Sequence, residues 1–169
     1  SGQNEIVVAL GASAQLRPRD IAPALIRGAR VVVCQHEANL PINAHVFRLA
    51  RGHGVTTVLN PAPMRPDFHA GILPLTDVLI PNETELSLLT GVDVNDIASA
   101  ESAARALLER GAKNVIVTLG NKGALIVSGI QVTHVDSYQV DVVDTTAAGD
   151  AFIGGFASKL LESDGLLSI

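Results

Sequence analysis

The sequence has 169 residues, 47% of them apolar, with 3% aromatics and a net charge of −5. That length supports one domain with a sizeable core, and the many Val, Ile, Leu and Ala residues suit an α/β protein. The acidic balance, with no Lys/Arg cluster, argues against a nucleic-acid partner, and no run of about 18 apolar residues offers a membrane span.

Ile6–Leu10 reads as a strand. Arg17-Pro18-Arg19-Asp20 then opens a helix to Ala29, with Pro18 suited to its first turn. Val31–Gln35 reads as a buried strand. It contains Cys34, the single cysteine, which is expected to be a buried small hydrophobe and excludes an internal disulfide. Pro41–His53 is a second helix, ended by Gly52 and Gly54, and Val55–Leu59 the next strand. His36-Glu37 lacks the following partner that a zinc helix needs, and the five histidines show no ligand spacing. Strands alternating with helices of this length predict a mainly parallel sheet with right-handed crossovers.

Asn60-Pro61-Ala62-Pro63 interrupts the pattern at a strand end, either an ordinary turn or part of a ligand rim. Asp77–Ile80 is a short strand leading into Pro81-Asn82-Glu83-Thr84-Glu85, a helix start with acids in its first turn. Asn82 and Glu85 stand three apart, a spacing that serves capping and also allows both to meet one hydrated cation. Ile97–Arg110 is an amphipathic helix ended at Gly111. Val115–Thr118, the Gly-bounded turn Thr118-Leu119-Gly120-Asn121-Lys122-Gly123, and Ala124–Val127 read as a hairpin. Gln131–Val135 and Tyr138–Val143 follow as further strands.

Everything leads to Val140-Asp141-Val142-Val143-Asp144-Thr145-Thr146-Ala147-Ala148-Gly149-Asp150, after which Ile153, Phe156 and Leu160 recur at helical spacing. Small residues at a helix N-terminus leave backbone N–H groups pointing one way, at the positive end of the helix dipole. Asp150 is a carboxylate placed where an anion would bind. It reads either as a first-turn acid or as a general base beside an anion hole, accepting a proton as a hydroxyl attacks a phosphoryl group.

Asp-Thr-Thr-Ala-Ala-Gly-Asp-Ala-Phe-Ile-Gly-Gly resembles the C-terminal signature of the ribokinase-like (phosphofructokinase B type) carbohydrate kinases. Leu59-Asn60-Pro61-Ala62-Pro63, Pro81-Asn82-Glu83-Thr84-Glu85 and Thr118-Leu119-Gly120 resemble further segments of that family, in order and at fitting spacing. The resemblance implies a three-layer Rossmann-like fold with a mainly parallel central sheet flanked by helices. It implies an ATP-dependent sugar kinase with Mg²⁺ and K⁺ as ions, ribose favoured as acceptor by the Thr-Ala-Ala-Gly-Asp and Asn-Pro-Ala-Pro forms. It also implies a cytoplasmic protein, dimeric when full length. Asp150 would be the catalytic base, with Ala147, Ala148 and Gly149 as anion-hole amides. Thr118, Leu119, Gly120, Asn121, Lys122 and Gly123 would line the nucleotide site. Asn82 and Glu85 would hold Mg²⁺ and phosphate through water, and Glu37 would reach the sugar. Backbone carbonyls of Asp144 and Thr146 would ligate potassium.

The family's N-terminal Gly-Gly sugar motif and lid strands are not found, nor is its segment closing the adenine pocket. Residues 1–169 are therefore expected to be a partial kinase domain, incomplete at both ends and inactive alone. Two other expectations stand beside it: a kinase of the same fold for another sugar, nucleoside or vitamin alcohol, or a non-catalytic nucleotide-binding module. No Gly-x4-Gly-Lys-Ser/Thr loop occurs, which excludes a Walker-type phosphate grip.

Overall fold

The computed structural model describes residues 9–162. Six strands form one sheet in the order in which they occur in the chain: β1 (Val31–Gln35), β2 (Thr56–Asn60), β3 (Val78–Leu79), β4 (Asn114–Thr118), β5 (Ala124–Ser128) and β6 (Gln131–Val135). β1 to β4 pair in parallel, with Val33 opposite Val58 and Leu59 opposite Leu79. β4, β5 and β6 pair antiparallel, Ile116 facing Ile126 across the expected hairpin.

Period-two alternation sorts the strand residues onto two faces. Leu59, Leu79, Val115, Val117, Leu125 and Val127 share one buried cluster with Phe47 of α2 (Leu40–Gly52) and Leu107 of α4 (Ile97–Glu109). Val58, Val78, Ile80, Ile116 and Ala124 form the opposite cluster, covered by Ile153 of α5 (Ala148–Glu162). Helices therefore cover both faces of a mainly parallel sheet, as the strand–helix alternation predicts. Local signals place the helices. Asn39 caps α2 by accepting from the Ile42 N–H at 3.1 Å. Asp96 and Ser99 form a capping box at α4. Ala100, Ala103 and Ala104 are small enough for α4 to approach the sheet closely, and all three are fully buried. Among the described residues no helix is long and apolar enough to cross a membrane.

Several expected elements take another form. Val31–Gln35, expected as a buried strand, forms β1 but is half-buried, with Val33 41% exposed. The helix expected from Arg17 to Ala29 is broken into a 3₁₀ turn (Pro18–Asp20) and the short α1 (Pro23–Arg27). Pro23 has no N–H to give and holds Ala22 in an extended conformation, so a continuous helix cannot pass. Tyr138–Val143 forms no strand; Tyr138 is 93% and Val143 97% exposed, and no described strand pairs with them. β-branched composition favours a strand only where a neighbour supplies the ladder and the packing. Of the first expected strand, Ile6–Val8 lie outside the described residues, and Ala9 and Leu10 are not extended in a sheet.

Leu79 is fully buried at the centre of the sheet. Leu79→Ala is expected to lower unfolding free energy by about 2–5 kcal/mol, the usual cost of a buried leucine truncation. Urea denaturation followed by circular dichroism measures it.

Candidate functional site

Parallel strands send their carboxyl ends to one rim, where an open α/β sheet gathers ligands. Here that rim carries Gln35 at the end of β1, Asn60 at the end of β2, Asn82 after β3 and Thr118 at the end of β4. The N-terminus of α5 stands against it, and between them lies a cleft of about 510 Å³. The cleft brings together eight of the residues expected from the sequence: Glu37, Asn82, Glu85, Thr118, Ala147, Ala148, Gly149 and Asp150.

The start of α5 is shaped by Ala147, whose φ of 61° is the one positive value at a non-glycine residue among those described. The turn lets the Ala148 N–H donate to the Thr145 carbonyl at 3.1 Å, while the Ala147 carbonyl accepts from Ala151 at 2.9 Å. The Ala148 amide is thus engaged within the turn in this structure. Gly149 and Asp150 follow in the first turn, where amides have no carbonyl four residues back within the helix. Ile153, 6% exposed, anchors this end of α5 on the sheet. The Asp150 carboxylate accepts a hydrogen bond from Gln35 Nε2 at 2.7 Å. Asp144 Oδ1 accepts from the Thr146 N–H at 2.8 Å, and that bond holds the Asp144 carboxyl below the usual carboxylate range. Asp144 and Thr146 are exposed and do not line the cleft, although Thr145 between them does.

Asn82 and Glu85 form the capping box of α3 (Glu83–Thr90). Asn82 Oδ1 accepts from the Glu85 N–H at 2.8 Å, and Glu85 Oε2 accepts from the Asn82 N–H at 3.0 Å. The capping reading of this pair is the one the hydrogen bonds display, and the cap uses one carboxylate oxygen of Glu85 and leaves the other. Burial pushes the Glu85 carboxyl up, against the opposing effect of the Asn82 N–H. A carboxyl raised in the folded state contributes stability below its unfolded pKa and loses it as pH rises through the folded value. Glu85→Gln is accordingly expected to raise the thermal midpoint at pH 7 relative to the parent and to leave it unchanged at pH 4. Melting curves at the two pH values check this.

Of the turn from Thr118 to Gly123, expected from the sequence to meet a nucleotide, Thr118 alone lines the cleft. Its N–H donates to the Pro81 carbonyl at 3.0 Å, tying β4 to the α3 cap. Leu119 is buried in the core, and Gly120–Lys122 form a 3₁₀ turn closed by the Leu119 N–H donating to the Gly123 carbonyl. Lys122 Nζ reaches Glu83 at 3.8 Å. Cys34, expected to be buried, is half-buried against the core, and burial pushes its thiol up to about 12, which disfavours the nucleophilic thiolate. Among the described residues no group of three or more His, Cys, Asp or Glu is placed to hold a metal ion. Sequence reasoning assigned no role to Gln35, and placed Asn60 only in a stretch read as an ordinary turn or part of a ligand rim. The available signal was a polar amide ending each of two apolar strands.

The pfkB family carbohydrate kinase model matches residues 1–167. Ribokinase of Staphylococcus aureus is 43% identical over 164 residues, covering 96% of this chain and 54% of that protein. Deoxyribokinase of Salmonella typhi is 38% identical over 165 residues, covering 96% and 54%. The structure of Arabidopsis thaliana ribokinase complexed with ribose and ATP superposes with a TM-score of 0.86 at 32% identity, covering 95% of this chain and 53% of that one. The chain thus spans about half the length of the curated relatives it matches. With the fold, the ordered motifs and the cleft in agreement, it belongs to the pfkB family of carbohydrate kinases.

Proposed function

We propose that residues 1–169 carry the nucleotide-binding and phosphoryl-transfer portion of an ATP-dependent sugar kinase that converts D-ribose to D-ribose 5-phosphate. The observation that supports this most directly is the Asp150 carboxylate at the mouth of α5, in one cleft with Ala147, Ala148 and Gly149. Phosphoryl transfer asks little covalent chemistry of a protein; positioning and charge stabilisation dominate. In this reading the sugar hydroxyl oxygen bonds to the γ-phosphorus as the bond to the bridging oxygen breaks and ADP leaves. The hydroxyl proton goes to the Asp150 carboxylate. Gly149 and the first turn of α5 direct amides and the positive dipole end at the transferring group, and Glu37 holds the sugar. Residues 118–123 border the nucleotide.

Among the described residues the cleft lining includes the carboxylates Glu37, Glu85 and Asp150 and no lysine, arginine or histidine. A polyphosphate entering such a site needs charge neutralisation, and magnesium supplies it when bound to the nucleotide. The donor set fits an ion held mostly by phosphate and water, because Asn82 and Glu85 spend one oxygen each on the helix cap. For potassium, Asp144 and Thr146 offer two backbone carbonyls, part of a shell for a large monovalent cation. Activity of the full-length protein is accordingly expected to be higher in potassium than in tetramethylammonium, and equal rates in the two would remove that assignment.

The 38% identity to a deoxyribokinase favours a second reading, 2-deoxyribose as acceptor on the same machinery. An ADP-release assay on the full-length protein separates the two. The largest kcat/KM with ribose supports the first reading, a larger value with 2-deoxyribose supports the second, and ATP turnover independent of any sugar overturns both.

A further inference from the structure

We propose that Gln35 is a positioning residue for phosphoryl transfer, aiming the Asp150 carboxylate through a relay of side-chain amides anchored in the sheet. The inference rests on the reading of Asp150 as the base. The relay begins at the Ile80 carbonyl, which can only accept, and takes a hydrogen bond from Asn60 Nδ2 at 2.8 Å. That bond fixes which way the Asn60 amide faces and turns its Oδ1 toward β1. Gln35 Nε2 donates to Asn60 Oδ1 at 3.3 Å and to Asp150 Oδ1 at 2.7 Å, which uses both of its hydrogens. Had the Gln35 amide been reversed, its oxygen would face two other acceptors, so a backbone carbonyl three steps away sets the polarity of the whole chain.

The anchoring is buried although its outer end is not. Asn60 is 8% exposed, and Asn43, 1% exposed, donates from Nδ2 to the Gln35 carbonyl at 2.9 Å. Gln35 is thus held at its backbone by α2 and at its amide by β2 before it reaches Asp150, 115 positions along the chain. The bond takes one oxygen of Asp150 and leaves the other for the substrate hydroxyl. It also supplies a neutral donor to a carboxylate whose other ionisable neighbours in the cleft, Glu37 from the β1–α2 loop and Glu85 from α3, are acids. Asp144 precedes it on the loop into α5. Among the described residues no cationic side chain lines the cleft to do the same work.

Removing the donor has two consequences. The carboxylate loses its fixed direction, which lowers kcat, and its ionised form loses a hydrogen bond, which moves the acid limb of the pH–rate profile upward. Gln35→Leu keeps the approximate size and deletes the donor; Gln35→Glu keeps a polar side chain and places a like charge beside Asp150. In the full-length enzyme each is expected to lower kcat about tenfold, the order of one hydrogen bond to a charged group. The limb in kcat/KM is expected to move to higher pH for the leucine variant and further for the glutamate variant. KM for ATP and the thermal midpoint should change little. Unchanged kcat, or a lower kcat with the acid limb in place, overturns the proposal, and the glutamate variant decides alone if the leucine variant does not fold. Asp150→Asn run alongside separates the two levels. If that variant retains more than a tenth of kcat, the base reading fails and this inference with it; if it collapses while both Gln35 variants behave as the parent, only the positioning role is lost.

Discussion

Asp150→Asn in the full-length enzyme is expected to lower kcat by about 10²–10⁴-fold, the usual contribution of a general base, while ATP affinity stays close to the parent value. The two effects separate because the proposed reading gives the residue two roles at one address. As a first-turn acid of α5 it meets the positive end of the helix dipole, an interaction typically worth about 0.3–1 kcal/mol. That contribution would appear in stability and hardly in turnover. As a proton acceptor it matters only while the hydroxyl oxygen attacks phosphorus, so its loss falls on kcat. Asparagine retains an oxygen that can accept from Gln35 Nε2, as Asp150 Oδ1 does at 2.7 Å, so the loop and helix start should persist. Steady-state kinetics with saturating sugar, together with calorimetric titration of ATP, provides both readouts. A loss of kcat smaller than tenfold would reduce Asp150 to support of its helix.

The parts of this fold legible in the sequence are those where a local pattern and its tertiary partner agree. Val58-Leu59 and Val78-Leu79 are adjacent apolar pairs in short runs, and a strand must turn one residue of each pair to either face. That alone demands cover on both sides. Ile153 and Leu160 recur at helical spacing, and both are buried residues of α5. Asn82 and Glu85 were legible twice over, because the spacing that builds a capping box also points both side chains at the rim.

What was not legible depends on partners that the local pattern does not contain. Tyr138–Val143 has the composition of a strand, yet a strand exists only when another supplies hydrogen bonds, and none of the described strands does so. Ala147 gives no sign in its side chain of a left-handed backbone, which is imposed by the loop and helix it joins. Gln35 reads as a polar end to an apolar run; its role depends on α5 returning to β1 after most of the chain has been laid down.

Gly123→Val is expected to cost about 4 kcal/mol or more and to disrupt the β4–β5 turn along with the fold. Gly123 has φ of 90°, where a β-branched residue is strained, a penalty of about 1–3 kcal/mol on its own. The surroundings add to it. A Cβ at this position would lie 1.9 Å from the Val135 carbonyl oxygen and 2.8 Å from backbone atoms of Asp136 and Ser137. Those are main-chain atoms at the end of β6, so no side-chain rotation relieves the overlap, and either the β4–β5 turn or the exit from β6 must move. Displacing the turn breaks the bond from the Leu119 N–H to the Gly123 carbonyl, 2.8 Å long, which closes the loop beyond Thr118. Displacing the β6 exit shifts the segment that runs on toward Asp144 and the α5 start. Against a total stability of about 5–15 kcal/mol, either response leaves a marginal protein. Gly120, with φ of 56° and open space where its Cβ would point, is the control. Gly120→Ala should carry the backbone penalty without the overlap and remain folded. Denaturant midpoints of the two variants measure the difference, and equal midpoints would show that the contact with Val135 does not constrain this turn.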